Sequence, residues 1–316
     1  MTKIIINKIS IAALLFFAAG SVGAGAMLQA PIQSSSGVAP PNVMFTLDDS
    51  GSMGFECLPD SLCTAGSTYI GTMPDSIGTW KDGVATYDKT VNKPMIFNRK
   101  MRSAAVNPLY YDPAILYLPW LKSDGTRYPA YLGTAARDFP ENSSSTDVRN
   151  LSADQKIERQ WCTSINSCTK EEQNVYLAQY FNLTGADVNK VESYTQVKIQ
   201  AGNSYPKSVA RTDCSGATCT YEQELQNFSN WYSYHRTRMR VAIAGTAESF
   251  YSIPGVYRVG YGRINKSSAA SVDGSPNITT VEQGVRVFGN VSGGGKADFY
   301  NWLFSQAPKN GGTPLR

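Results

Sequence analysis

The sequence predicts an α/β domain, a sheet with helices packed on it, interrupted by a large irregular insertion that holds all six cysteines. Three observations predict this. Residues 43–47 (VMFTL) are a continuous run of apolar, β-branched and aromatic members, as expected of a strand buried on both faces in a parallel sheet. From residue 231 onward apolar side chains return at helical spacing and alternate with strand-like runs. Between these stretches, residues 55–228 are rich in Tyr, Ser, Asn and Pro and hold neither period for long.

Residues 1–26 read as a secretory signal. Lys3 and Lys8 precede an apolar run over 9–19, and Ala24-Gly25-Ala26 gives the small-x-small pattern of a cleavage site. The run is too short to span about 30 Å of hydrocarbon, although an uncleaved N-terminal anchor is the competing reading. The mature chain is expected to begin near Met27, to be exported and to carry no integral membrane span. Residues 27–41 follow as a flexible leader, Ser/Gly/Pro-rich over 33–41.

Residues 42–54 and 229–316 are assigned to the α/β domain. The 43–47 strand ends in the polar loop Asp48-Asp49-Ser50-Gly51-Ser52-Met53-Gly54. Ligands of open α/β sheets sit beyond the carboxyl ends of the strands, where this loop falls. Trp231, His235, Met239, Ala242, Ile243, Thr246 and Phe250 predict one helix over 231–250, stopped by Pro254-Gly255. Strands are expected over 257–264 and 282–291, and a helix over 296–306 with Phe299, Trp302 and Leu303 inward. In the insertion, Pro108, Pro113 and Pro119 argue against long elements, and one helix is expected over 170–181 from Val175, Leu177, Ala178 and Phe181.

The cysteines fall into three close pairs: Cys57 with Cys63, Cys162 with Cys168, and Cys214 with Cys219. In an exported protein these read as three local disulfides, each stabilising by about 2 kcal/mol at most. Zinc is disfavoured, since CxxC spacing is absent and His235 is the only histidine. The formal charge of +4 excludes broad capture of nucleic acid. Arg236, Arg238 and Arg240 form a notable basic cluster, read here as the solvated side of a helix.

Asp48, Ser50 and Ser52 at alternate positions of a tight loop supply one charge and several neutral oxygens, a set suited to a hard divalent cation. With so little negative charge around it, such a cation can still attract a partner's carboxylate. This segment resembles the metal-ion-dependent adhesion site of von Willebrand A domains, which are Rossmann-like. The resemblance implies a further ligand from a Gly-Gly-Thr loop, and Gly311-Gly312-Thr313 places that role on Thr313. The implied cofactor is Mg²⁺, with Mn²⁺ or Ca²⁺ as alternatives.

A narrower likeness spans most of the chain. The signal peptide, the DxSxS strand, residues 107–113 (NPLYYDP), 117–120 (YLPW), 299–304 (FYNWLF) and 311–316 (GGTPLR) resemble the N-terminal part of the type IV pilus tip-associated proteins, the PilY/PilC group. Pilus assembly, surface adhesion and twitching motility are implied. So are partners among minor pilins or the pilus tip and a host or abiotic surface, at the periplasm, outer membrane or cell surface. The group's C-terminal β-propeller, with its calcium loop, is not expected within these residues. A von Willebrand A sheet needs elements after the Gly-Gly-Thr loop, so a truncated sheet and a weakened metal site are expected.

Catalysis is not expected. A phosphatase of the aspartyl-phosphate type wants an acid where Ser50 stands, and His235 on a helix is a poor base for a serine hydrolase. No P-loop, G-x-S-x-G elbow or dinucleotide fingerprint occurs. The alternative to metal-mediated binding is a structural pilus-biogenesis fragment with a degenerate metal site and adhesion through the Tyr-rich insertion.

Overall fold

A computed structural model describes residues 39–316 except 66–67, 70–86, 89–92, 95, 143–146, 165–166, 267, 290–294, 310 and 314–316. The 1–26 signal and most of the 27–41 leader lie outside the described residues. The chain is mixed α/β. Along it run β1 (Asn42–Leu47), a long hairpin of β2 (Asp154–Ser164) and β3 (Ser167–Tyr176), and a shorter pair, β4 (Gln179–Leu183) and β5 (Tyr194–Lys198). Helices α1 (Tyr221–Tyr234) and α2 (Arg238–Tyr251), strands β6 (Arg258–Arg263) and β7 (Val281–Val287), and helix α3 (Lys296–Phe304) complete the frame.

The sheet that positions the candidate site has the order β1-β6-β7. β1 and β6 are parallel, in register from Asn42↔Arg258 to Leu47↔Arg263, and β7 pairs antiparallel with β6. A Cβ on Gly262 would strike the Thr280 carbonyl, so glycine there lets β6 pass the turn into β7.

Three expectations about secondary structure need correction. The 43–47 strand is not buried on both faces. Its residues alternate in exposure down to a buried Leu47, because Val43, Phe45 and Leu47 pack on the aromatic cluster while Met44 and Thr46 face outward; among the described residues β1 is also an edge, paired only with β6. The helix over 170–181 is instead strand. β3 pairs with β2 through Asp154↔Tyr176 to Ser164↔Ser167, and Val175 and Leu177 are buried at the alternate spacing of a strand. The single helix over 231–250 is two. Thr237 caps α2 by accepting a hydrogen bond from the Arg240 amide, and His235 ends α1, so the chain turns between them.

α1 begins at Tyr221 because Thr220 and Gln223 form a reciprocal capping box. It therefore runs through the 228/229 position that divides the insertion from the α/β segment. Its Phe228, Trp231 and Tyr232 sit in one apolar cluster with Tyr110, Tyr111 and Tyr180, while Tyr234 belongs to a second. The second cluster lies between the sheet and α2 and α3. Phe250 stacks on Phe299 with ring centroids 4.6 Å apart, and Phe45 of β1 meets Phe250 edge-on at 5.3 Å. Trp120, from the insertion, stacks on Phe304 at 5.6 Å. Each such ring removes enough apolar surface from water to stabilise by roughly 1.5–3 kcal/mol.

Among the described residues two disulfides are seen, Cys57–Cys63 and Cys214–Cys219. Cys162 and Cys168 stand directly opposite each other across β2 and β3, and their side chains lie outside the described residues. The arginine cluster is not a solvated face. Arg236 pairs with Glu56 at 2.9 Å and Asp138 at 2.8 Å, and Arg238 donates to the Cys57 carbonyl at 2.7 Å and pairs with Asp60 at 2.5 Å. Arg240 donates to the Tyr232 carbonyl at 3.1 Å. Together they fasten the 55–63 and 136–138 segments to the helices.

Candidate metal centre

The site forms where three segments meet beyond the carboxyl ends of β1 and β6. The first is the 48–54 loop, which leaves β1 and closes as a 3-10 turn over Gly51–Gly54. The second follows β6 at Ile264 and Asn265, with the Ile264 amide donating to the Leu47 carbonyl at 3.2 Å. The third is the 308–313 segment after α3. It is bound to the first by two backbone hydrogen bonds, Lys309 N–H to the Asp49 carbonyl at 2.7 Å and Gly51 N–H to the Gly311 carbonyl at 3.0 Å.

These ties bring together three of the four expected ligands. Thr313 Oγ1 donates to Ser50 Oγ at 3.0 Å, and Ser50 Oγ shares a hydrogen bond with Ser52 Oγ at 3.2 Å. Asp48 Oδ1 accepts the Ser50 amide at 2.9 Å, which bends the loop back toward the strand end. Ser50 is buried, Asp48 and Ser52 are half-buried and Thr313 is exposed, so one side of the oxygen cluster faces solvent.

The donor set fits a small hard cation. Neighbouring ligands of an octahedron with bonds of about 2.0–2.1 Å stand roughly 2.9 Å apart. The hydroxyl spacings of 3.0 and 3.2 Å lie near that edge length. Among the described residues, this place included, no three His, Cys, Asp or Glu side chains gather as a metal cluster, so the donors here are hydroxyls with the Asp48 carboxylate.

Sequence reasoning missed two residues that build this place. Asp49 is fully buried, and its Oδ1 accepts the Asn265 backbone amide at 2.8 Å. Asn265 Nδ2 in turn donates to the Gly312 carbonyl at 3.2 Å. A Cβ on Gly311 would collide with the Asn265 side chain at 2.6 Å, so glycine there admits the close approach. The doubled acid at 48–49 was a visible signal. Asn265 had none, because only the parallel β1–β6 pairing sets it beside Asp49.

A separate cleft of about 470 Å³ opens beyond Gly54 and Pro308, among Trp120, Arg236, Met239 and Arg240. None of the four candidate ligands lines it. Burial, followed by the repulsion of Arg236, pushes the Arg240 guanidinium down to about 10. His235 Nε2 lies 2.8 Å from the Leu118 carbonyl, and its ring packs on Tyr117.

No family model and no solved structure matches the chain. Curated proteins do. It is 28% identical over 298 residues to the type IV pilus biogenesis factor PilY1 of Pseudomonas aeruginosa strain PAK, covering 91% of this chain and 21% of that protein. For the PilY1 of strain UCBPP-PA14 the identity is 27% over 311 residues, 95% of this chain and 22% of the relative. The chain thus spans about a fifth of the length of the curated relatives it matches. With that similarity running through nine-tenths of its residues, the chain is similar to part of the length of PilY1-type pilus biogenesis factors.

Proposed function

We propose that this chain serves type IV pilus biogenesis from an exported position, and that it does so by gripping a partner through a divalent cation. Asp48, Ser50, Ser52 and Thr313 hold the ion, Mg²⁺ by preference. The surrounding β1-β6-β7 layer acts as a von Willebrand A-like platform. The ion keeps room for a carboxylate from outside, supplied by a minor pilin, the pilus tip, a host surface or an abiotic one. Adhesion and twitching follow from that grip, and no bond of the partner is broken.

The observation that carries this reading is the hydrogen bond from Thr313 to Ser50, joining residues 263 positions apart at the end of a parallel strand pair. The similarity to PilY1 supports the pilus setting. Among the described residues no helix is long and apolar enough to cross a membrane. Adhesion through the Tyr-rich insertion fits less well. Tyr110, Tyr111, Tyr117, Tyr180, Tyr194 and Tyr205 are all buried and offer little contact surface.

Titration of the purified chain with Mg²⁺, followed by calorimetry and by thermal melting, tests the cation. Wild type should bind and melt higher, and Asp48→Ala should do neither. In cells, Asp48→Ala should lower surface attachment and piliation. Equal Mg²⁺ responses in both proteins would sink the metal reading, whereas unchanged attachment would remove the site from function.

A further inference from the structure

Asp49 is oddly placed for a residue of purely structural use. Its carboxylate is fully buried, yet Oδ2 has no hydrogen-bond donor. Arg263 Nε lies 4.0 Å away, too far for a hydrogen bond, and is drawn instead to Glu282 at 2.9 Å. Glu282 is shared again, with Lys266 Nζ at 3.4 Å. A buried charge so poorly satisfied burdens the fold, and replacing such a group by a neutral one is often stabilising. What Asp49 does achieve is local. Oδ1 fixes the Asn265 amide, Asn265 holds the Gly312 carbonyl, and the Asp49 carbonyl holds the Lys309 amide. Both ties from this residue pair close on the segment that presents Thr313.

We propose that Asp49, acting through Asn265, is a positioning residue that latches the 308–313 segment so that Thr313 stays on Ser50. The latch accepts thermodynamic strain at the core in exchange for a preformed oxygen cluster. A cation then binds without first ordering the loop. Its consequence for cation affinity rests on the metal reading above; the latch itself does not.

The test uses the full chain and the variants Asp49→Asn, Asp49→Ala and Asn265→Ala. Without metal, amide exchange at Lys309, Gly51 and Asn265 reads the latch directly. Asp49→Ala should speed exchange at these amides about tenfold, whereas Asp49→Asn, which keeps an acceptor for the Asn265 amide, should stay within about threefold of wild type. Asn265→Ala, which leaves the fold's other contacts in place, should loosen the segment and decides the matter alone if Asp49→Ala does not fold. Mg²⁺ titration then follows: affinity should fall about tenfold in Asp49→Ala and Asn265→Ala while the metal-free melting temperature is unchanged or raised. Wild-type exchange in both alanine variants would overturn the latch, as would a metal-free melting temperature lowered in parallel with affinity. Absence of any Mg²⁺ response in wild type would overturn the cation reading while leaving the exchange result to decide the latch.

Discussion

The core around α1 in the insertion and the core between the sheet and its helices reach similar burial by different means. Around α1, irregular chain is held by side chains that satisfy backbone groups. Tyr110 donates to the Gln179 carbonyl at 2.6 Å, Trp231 to the Leu109 carbonyl at 3.0 Å, and Asn230 to the Tyr117 carbonyl at 2.9 Å. Asn227 donates to the Ile115 carbonyl at 2.8 Å and accepts from the Tyr117 amide at 2.8 Å. Below them Arg211 and Glu224 pair at 2.7 Å with both side chains fully buried, and Tyr111 donates to Glu224 at 2.8 Å. At the sheet, ladders and helices already satisfy the backbone. Phe250, Phe288, Phe299 and Leu303 need only pack. Where regular structure is scarce, polar side chains take over the accounting of buried backbone groups, and the penalty for losing one becomes large.

The contrast can be broken most sharply at Glu224. Its replacement by Ala leaves Arg211 with Asp213 and the Pro113 carbonyl alone and takes the acceptor from the buried Tyr111 hydroxyl, and should cost about 3–5 kcal/mol in urea unfolding, whereas the apolar pair Arg211→Met with Glu224→Leu should recover most of that loss. A single variant as stable as wild type would show that the polar core carries no special stake. At the sheet, Phe299→Ala should cost a similar 3–5 kcal/mol, but by leaving a cavity, so Phe299→Leu should recover much of it.

A smaller effect comes from pH. Burial pushes the His235 imidazole down to about 4, so the unfolded chain takes up a proton more readily than the folded one. The neutral ring's contribution is therefore complete above about pH 6.5 and lost as pH falls toward 4, by about 1–3 kcal/mol in all. His235→Gln should flatten that part of the stability–pH curve, and a curve of unchanged slope would refute the assignment. Smallest is the β1 edge. Met44 is 46% exposed there, so Met44→Lys should move stability by less than about 0.5 kcal/mol while reducing self-association in light scattering.

Much of the frame was legible because periodicity is local information. β6 and α3 lie within the runs expected over 257–264 and 296–306, β7 starts one residue ahead of the 282–291 run (whose 290–291 lie outside the described residues), and Cys57–Cys63 and Cys214–Cys219 pair as their spacing suggested. The rest depends on partners. Val175, Ala178 and Phe181 also satisfy a helical pattern, and pairing with β2 makes Val175 strand. The apolar 43–47 run looks central until the sheet order leaves it at an edge. Thr237, which breaks the long helix, is an ordinary capping residue whose hydroxyl acts only because the chain turns there. In the site, the DxSxS and Gly-Gly-Thr segments could be read as motifs, but Asn265 joins them through strand register alone.

The parallel pairing of β1 with β6 also sets a timetable. Asp49 and Asn265 are separated by 216 residues, and Ser50 and Thr313 by 263. A chain emerging N-terminus first must keep its earliest sheet strand unpartnered while the tyrosine-rich core assembles around α1. Closing so long a loop is slow, and an unpaired apolar strand invites wrong partners meanwhile. The oxygen cluster can exist only after the last of these segments has docked. A cation held there would thus act as a stamp on finished molecules, with no hold over the early steps of folding.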